Sequence, residues 1–327
     1  MANGDTNVFT KSPKVVSTAL GLLLRNIVWN GLITRRSMED FRLTTNDTIT
    51  IPIRGRTVAD TIALRATGEA RKINVRDLQE TSISVQLTDR VENAIGVTDE
   101  QATLDIVSFA DQILSAQVIA VAEELEAKLF AIVSGAPYHA SNGVTWNINE
   151  ESGPKSGAYG SIIAANTRLD RVNVPRDGRV MVVSPEGRAA ILLDNRLTQI
   201  APQGLGEGAL RQGFVGQLDG TPIVVSNLLT ATEAYLFHKS AFVAAEGAPV
   251  VPQGAYGGAQ KSFDGFAARW LMDYDADYAR DRSVLTSYFG GKSVNDGPVS
   301  SPLGGGGAVA TNIRAIKITL VDQAPTP

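Results

Sequence analysis

Cysteine is absent from this chain of 327 residues. Disulfides, thiolate zinc sites and cysteine nucleophiles are thereby excluded. Histidine is nearly absent as well: His139 and His238 are the only two, about a hundred residues apart. Zinc held without thiolates needs two or three imidazoles close together, on a helical His-Glu motif for example, so both read as loop or core residues. No run of eighteen apolar residues occurs, which removes any helical membrane span. The nearest thing to a secretory signal, VVSTALGLLL at 15–24, lacks a small-residue cleavage site and runs into Arg25 and Trp29; it reads as a helix with an apolar face. A basic excess is also missing. Net charge is −4 with lysine and arginine dispersed, so nothing advertises sequence-specific nucleic-acid recognition.

The arrangements that carry catalysis are missing too. No serine stands in a nucleophile elbow. Ser184 in VVSPEGR follows an apolar strand, but Pro185 comes next, which reads as a helix cap with proline at the first helical position. GLGEGALRQG at 204–213 has neither the Walker nor the dinucleotide spacing, and no apolar strand leads into it, so it reads as a mobile loop. Glu123, Glu124 and Glu126 read as a solvent-facing charged face rather than an acid and base pair, which would have to face one cleft. No catalytic residue, cofactor or metal is expected.

What is present is a chain with 43% hydrophobic residues, enough for a substantial core in one large or two ordinary domains. DTITIPIRGR at 47–56 alternates with period two, Ile49, Ile51 and Ile53 sharing a face. Pro52 marks it as an edge strand. TSISVQLTDR at 81–90 is its expected partner. Between them run about twenty-five largely polar residues carrying Arg54, Arg56, Arg65, Arg71, Lys72 and Arg76, a projecting hairpin that would need a neighbouring molecule to bury its faces. From Thr98 to Ser134 neither glycine nor proline intervenes. Thr98 with Gln101 makes a capping box, and Val107, Ala110, Leu114, Val118, Val121, Leu125, Leu129 and Ile132 form one helical stripe. Unbroken, that helix would run roughly 50 Å. Beyond it, SIIAANTRLDRVNVP reads as a helix, RVMVVSPEGRAAILLD as a strand and helix, and TPIVVSNLL and AYLFHKSAFVAA as strands and turns, an α+β subdomain. GPVSSPLGGGG is a flexible linker and RAIKITL a terminal strand.

WLMDYDADYARDRSVL, residues 270–285, sets four aspartates within nine positions. As a strand it would put Asp273, Asp275 and Asp277 on one face, an arrangement that suits a hard cation. A calcium loop counted from Asp273 would need glycine and glutamate where Tyr278 and Val284 stand. Arg280 and Arg282 follow at once, so the carboxylates are expected to meet arginines within the chain or across a subunit boundary.

Taken in order, the arm, the arginine-bearing hairpin, the long helix, the α+β subdomain and the returning strand resemble the major capsid proteins of tailed bacteriophages, in the branch of the podophage-type coat proteins. GFVGQLDGTPIVVSN and AYLFHKSAFVAAEGAPV look like that family's strand and turn segments, and MDYDADYARDRSVLTSYFGGK like its late segment. The resemblance implies an α+β capsid fold with an N-terminal arm and short helix at 1–43 and an extended loop, the E-loop, at 44–92. It implies a peripheral (P) domain at 93–160 with its spine helix at 98–134, an axial (A) domain at 161–272, a return to the P domain at 273–296, and a linker and strand at 297–327.

It further implies pentamers and hexamers of the chain forming an icosahedral shell around phage double-stranded DNA, with no membrane. A portal and a separate scaffolding chain are implied partners, since no helical leader precedes the arm. The shell would be built in the host cytoplasm. Arg54, Arg56, Arg65, Arg71, Lys72, Asp273, Asp275, Asp277, Arg280 and Arg282 become candidate inter-subunit contacts. Some relatives weld subunits by a lysine to asparagine bond. Lys72 with Asn295 or Asn312 lacks an identifiable glutamate, so no crosslink is expected. An encapsulin-like compartment holding enzyme cargo is the nearest alternative, and a hydrolase using metal on Asp273, Asp275 and Asp277 a remote one.

Overall fold

The computed structural model describes residues 28–36, 48–53, 59–65, 67–73, 75, 77, 81–104, 110–139, 143–147, 157–194, 216–253, 257–263, 266–295 and 311–321. The arm and short helix before residue 28, Arg54, Arg56, the 204–213 loop and the 297–310 linker lie outside them. In chain order come strands β1 (Thr34–Arg36), β2 (Thr48–Ile53), β3 (Thr81–Gln86) and β4 (Asp89–Thr98), then helices α1 (Asp99–Leu104) and α2 (Ser115–Ser134). Next are β5 (Val144–Asn147), α3 (Gly157–Arg171), β6 (Arg179–Val183), α4 (Pro185–Leu193), β7 (Gln217–Leu218), β8 (Thr221–Val225), β9 (Glu233–His238) and β10 (Phe242–Gly247). β11 (Gly257–Phe263), β12 (Phe266–Asp275), β13 (Arg280–Ser293) and β14 (Ala315–Val321) follow.

Every residue of β6 is buried, which a strand achieves only when both faces of its sheet are covered. The sheet is β5-β14-β9-β6-β8-β7. By the two-residue period, Val180 and Val182 enter one core with α2, whereas Met181 and Val183 enter another with Ala158, Ile162, Ala165 and Leu169 of α3 and Ile191 of α4. Ser184 caps α4, accepting from the Gly187 N–H at 3.1 Å, with Pro185 behind it. The second sheet runs β1-β10-β13-β12-β11, with β4 also on β13. Its Leu285, Phe289, Ala244 and Val91 reach the core that holds α2, so α2 is a shared layer between two sheets.

The helix expected over 98–134 is helical in its described parts but not regular, and 105–109 lie outside the described residues. α1 covers Asp99–Leu104, and α2 is entered through a π-helical turn at Ala110–Leu114. Such a turn carries an extra residue and offsets the side-chain faces on either side of it. The capping box is present: Thr98 Oγ1 accepts from Gln101 N at 3.4 Å and Gln101 Oε1 from Thr98 N at 3.3 Å. The stripe is also turned. Val121, Leu125 and Leu129 are buried as expected, but Val118 and Ile132 only flank the core, while Ile113, Gln117, Ala122, Glu126 and Val133 enter it.

Glu126 is therefore not on a solvent face. Its Oε1 accepts from the backbone N–H of Val28 at 2.6 Å and of Trp29 at 2.8 Å, and Trp29, buried, stacks on Phe237 and donates its indole N–H to Ser226 Oγ at 3.0 Å. Gln117 makes the matching attachment at the other end of α2, donating to Ser283 O at 2.9 Å and Asn93 O at 3.2 Å and accepting from Ser283 Oγ at 2.7 Å. Glu126 Oε1 and the Gln117 amide are thus answered by backbone or hydroxyl, as burial requires.

β4 is a strand that the sequence reading missed. Arg90 and Glu92 mask the alternation of Val91, Ile95 and Val97, yet all ten of its residues pair with β13.

Val121→Asp should prevent soluble subunit from accumulating: an unpaired carboxylate in this core costs several kcal/mol against a typical stability of about 5–15 kcal/mol. Glu124→Gln, on the exposed side of the same helix, should leave soluble yield unchanged. Equal yields from the two variants would overturn the assigned face.

Candidate functional site

Two features stand out from the body of the chain, a projecting loop and a charge-paired hairpin. The loop is rooted in the β2–β3 ribbon, paired with Ile49 opposite Val85 and Ile51 opposite Ile83. One face of this ribbon is satisfied within the chain, which corrects the expectation that a neighbour must bury it. Ile83 and Val85 pack on Val243, Ala245 and Val294. The close approach depends on a missing side chain: a Cβ at Gly290 would lie 2.1 Å from Gln86 O, so only glycine lets the loop's root cross β13. Thr88 N then donates to Phe289 O at 3.1 Å.

Beyond the ribbon the described residues are exposed, and they are less polar than the sequence reading holds. Leu64 is as open as in an extended chain, and Val75, Ile73 and Ile62 stand in solvent with it. Their spacing of two, Ile62 with Leu64 and Ile73 with Val75, was the available signal, outvoted by the surrounding charges. Arg65, Arg71 and Lys72 are exposed here, Lys72 3.9 Å from Glu69.

The aspartates resolve into a hairpin. β12 and β13 face Asp273 to Arg282 and Asp275 to Arg280 across the ladder. Arg282 grips Asp273 with two donors, Nε to Oδ1 at 3.0 Å and Nη2 to Oδ2. The guanidinium holds the Asp273 carboxyl below the usual range, and the carboxylate raises Arg282 in turn. Arg280 lies 3.6 Å from Asp275 and 4.7 Å over the Tyr278 ring. Asp277 does not share their face, because the strand ends at Asp275 and a turn follows, closing with Ala279 at φ 49°. Two of the three carboxylates already hold arginines, and among the described residues no group of three or more acidic or imidazole side chains converges as a metal site would need. Tyr274 and Tyr278 are left exposed beside the pairs.

Elsewhere the polar groups serve the fold. His238 Nδ1 accepts from Ser240 N at 3.2 Å, and burial lowers the imidazole's pKa. A cleft at Arg176, Arg179 and Asp219 offers no free donor from Arg179, which is spent on Pro175 O, Asn166, Asp170 and Val174 O. Asn312, a crosslink candidate, is buried and donates to Ala241 O while its Oδ1 accepts from Arg314 N. The buried carboxylates Glu126 and Glu246 were missed from sequence. Glu126 sits one turn from Ala122 and Phe130, an acidic interruption of an apolar row, and that was its signal.

Among solved structures the chain is similar to that of Mycobacterium phage Che8, at 19% identity and a TM-score of 0.61 over 97% of this chain and 98% of that one. It is similar to the capsid of the cyanophage P-SCSP1u at 12% identity and TM-score 0.62, covering 99% and 93%. The mature capsid of bacteriophage PhiM1 matches at 12% identity and TM-score 0.60, covering 99% and 92%. No curated protein matches. The model of the phage capsid proteins matches residues 80–287, well over half the chain, and the chain belongs to that family.

Proposed function

We propose that this chain is the major subunit of a tailed-phage shell, copies of which assemble as pentamers and hexamers into an icosahedral container for double-stranded DNA. The observation that carries the reading is the loop tip, whose apolar side chains Ile62, Leu64, Ile73 and Val75 stand exposed, with no cover from the described residues. Several uncovered apolar residues on one projection are the mark of an interaction surface. In a shell that surface lies on an adjacent subunit, with Arg65, Arg71 and Lys72 supplying charge complementarity. Arg54 and Arg56 belong to the same proposal from their place in the sequence. A separate scaffolding chain and a portal during assembly in the host cytoplasm complete it. DNA is enclosed without sequence recognition, which a chain of net charge −4 tolerates.

In the same proposal the axial region is the sheet built on β6 with α3 and α4, and the peripheral region is α2 with the sheet built on β13. β10 and β12 pair with β13, β11 pairs with β12, and β5 pairs with β14, so in this proposal the regions follow the sheets rather than simple cuts at 160 and 272. The encapsulin-like alternative is not favoured, since the family and the matched structures are those of phage capsids. Particles isolated from infected cells should contain a genome rather than a cargo enzyme.

Deleting residues 57–80 should leave a soluble, folded subunit that forms no shells, because the tip contributes little burial to its own chain. Circular dichroism should be native-like and sedimentation should show no particles. Loss of folding would count against the loop as an assembly element.

Arg282 and Asp273 are each about half exposed, at 47% and 49%, and an exposed pair contributes about 1 kcal/mol or less to a lone subunit. Arg282→Glu should therefore change subunit Tm by only a few degrees while impairing assembly, where the hairpin would be desolvated against a neighbour. Chelator should leave wild-type particles unaffected. Normal assembly of Arg282→Glu would place the hairpin on a solvated face, and chelator-sensitive particles would restore a cation to Asp273 and Asp275.

A further inference from the structure

The N-terminal segment Val28–Arg36 is fastened to the body by two carboxylates. Glu126 of α2 takes the N–H groups of Val28 and Trp29. Glu246 of β10 takes Arg35, whose Nη2 lies 2.5 Å from Oε2. β1 itself is short, three residues laid parallel on Val243–Ala245. Burial is asymmetric across the pair: the Glu246 side chain is 1% exposed and that of Arg35 31%. Glu246 Oε1, also buried, meets no hydrogen-bond donor among the described residues.

The charged groups acting on Glu246 come from two elements, Arg35 from β1 and Glu126 from α2. β13 offers it Phe289 across the ladder, with Lys292 opposite Val243. Arg35 is the cation that the described residues bring onto Glu246, and the negative charge of Glu126 acts against it. Glu246 is buried with a partly exposed guanidinium at one oxygen and no donor among the described residues at the other, and a buried carboxylate so placed is relieved by binding a proton. An acceptor oxygen with no donor is where that proton would sit.

We propose that docking of the Val28–Arg36 segment is linked to a proton on Glu246, bound while the segment is down and released when it lifts and water reaches the carboxylate. The device belongs to the subunit and stands whether or not the shell reading holds. Burial, opposed by Arg35 and reinforced by Glu126, raises Glu246 to about 7 from an ordinary 4.5. The docked form therefore binds more protons than the open one. Docking gains its full benefit below pH 4.5 and loses it as pH rises through 7, with no further change above. Lifting exposes Trp29 and the aromatic core beneath it, so the proton controls a contact that also seals Phe237 and Phe130.

Amide hydrogen exchange on the full-length subunit tests this, with opening constants corrected for the intrinsic pH dependence of exchange. From pH 5 to pH 8 the amides of residues 28–36 should open more often by roughly tenfold to a hundredfold. Those of β6, in the centre of the other sheet, should not follow. Glu246→Gln, a neutral mimic of the protonated acid, should flatten the profile. Arg35→Gln should move its midpoint to higher pH, because the arginine that favours ionisation is gone. A flat wild-type profile would overturn the proposal, as would Glu246→Gln retaining the wild-type slope, or β6 opening in parallel, which would mean global unfolding. If either variant fails to accumulate, the wild-type profile with β6 as internal reference decides alone.

Discussion

A single carboxylate inside an apolar helix face organises much of this molecule. Glu126 occupies a position of α2 that packing alone would give to leucine, and it holds two backbone N–H groups of a segment nearly a hundred residues earlier in the chain. Burying an ionisable group is costly unless its partners are fixed, so the helix, the segment and Trp29 are mutually required. With Trp29 in place the stack on Phe237 and Phe130 is complete, and α2 can serve as the common layer of both sheets. Gln117 repeats the device toward β4 and β13. The helix is located by polar pins along its length, and the apolar side chains between them supply the cohesion.

The division between legible and hidden parts follows sequence range. Signals set by near neighbours were read well: Ser184 with Pro185, the Thr98 and Gln101 box, the alternation of Ile49 and Ile51 against Ile83 and Val85, and the terminal strand β14. These depend on spacings of two to four residues, which the chain states directly. The pairing of Asp273 with Arg282 is short-ranged too, since a tight hairpin brings residues nine apart into register.

What stayed hidden depends on distant partners. Glu126 reads as surface until the N–H groups that it holds are known, and Glu246 lies in a strand whose other members are small or apolar. β4 looks like a charged connector because its burial comes from β13, nearly two hundred residues away. The π-helical turn has a subtler signature: it leaves no mark in composition, and the face that α2 buries is offset from the stripe that spacing alone predicts. The exposed apolar tip was present in the letters, but a pair of residues two apart is too brief to outweigh the charges around it.

The contact between Gly290 and the root of the projecting loop has a mechanical consequence. Two backbones touch there, and between them stands no side chain whose rotamers would absorb a misalignment. The loop thus behaves as a lever with its fulcrum on β13. Six strand residues carry the ribbon about 20 Å outward, so a tilt of about 10° at the fulcrum displaces its far end by about 3.5 Å. That is nearly the width of an atomic contact. Aim in such a lever is set almost wholly at its base, and a methyl group added at one glycine would be felt chiefly where the loop ends.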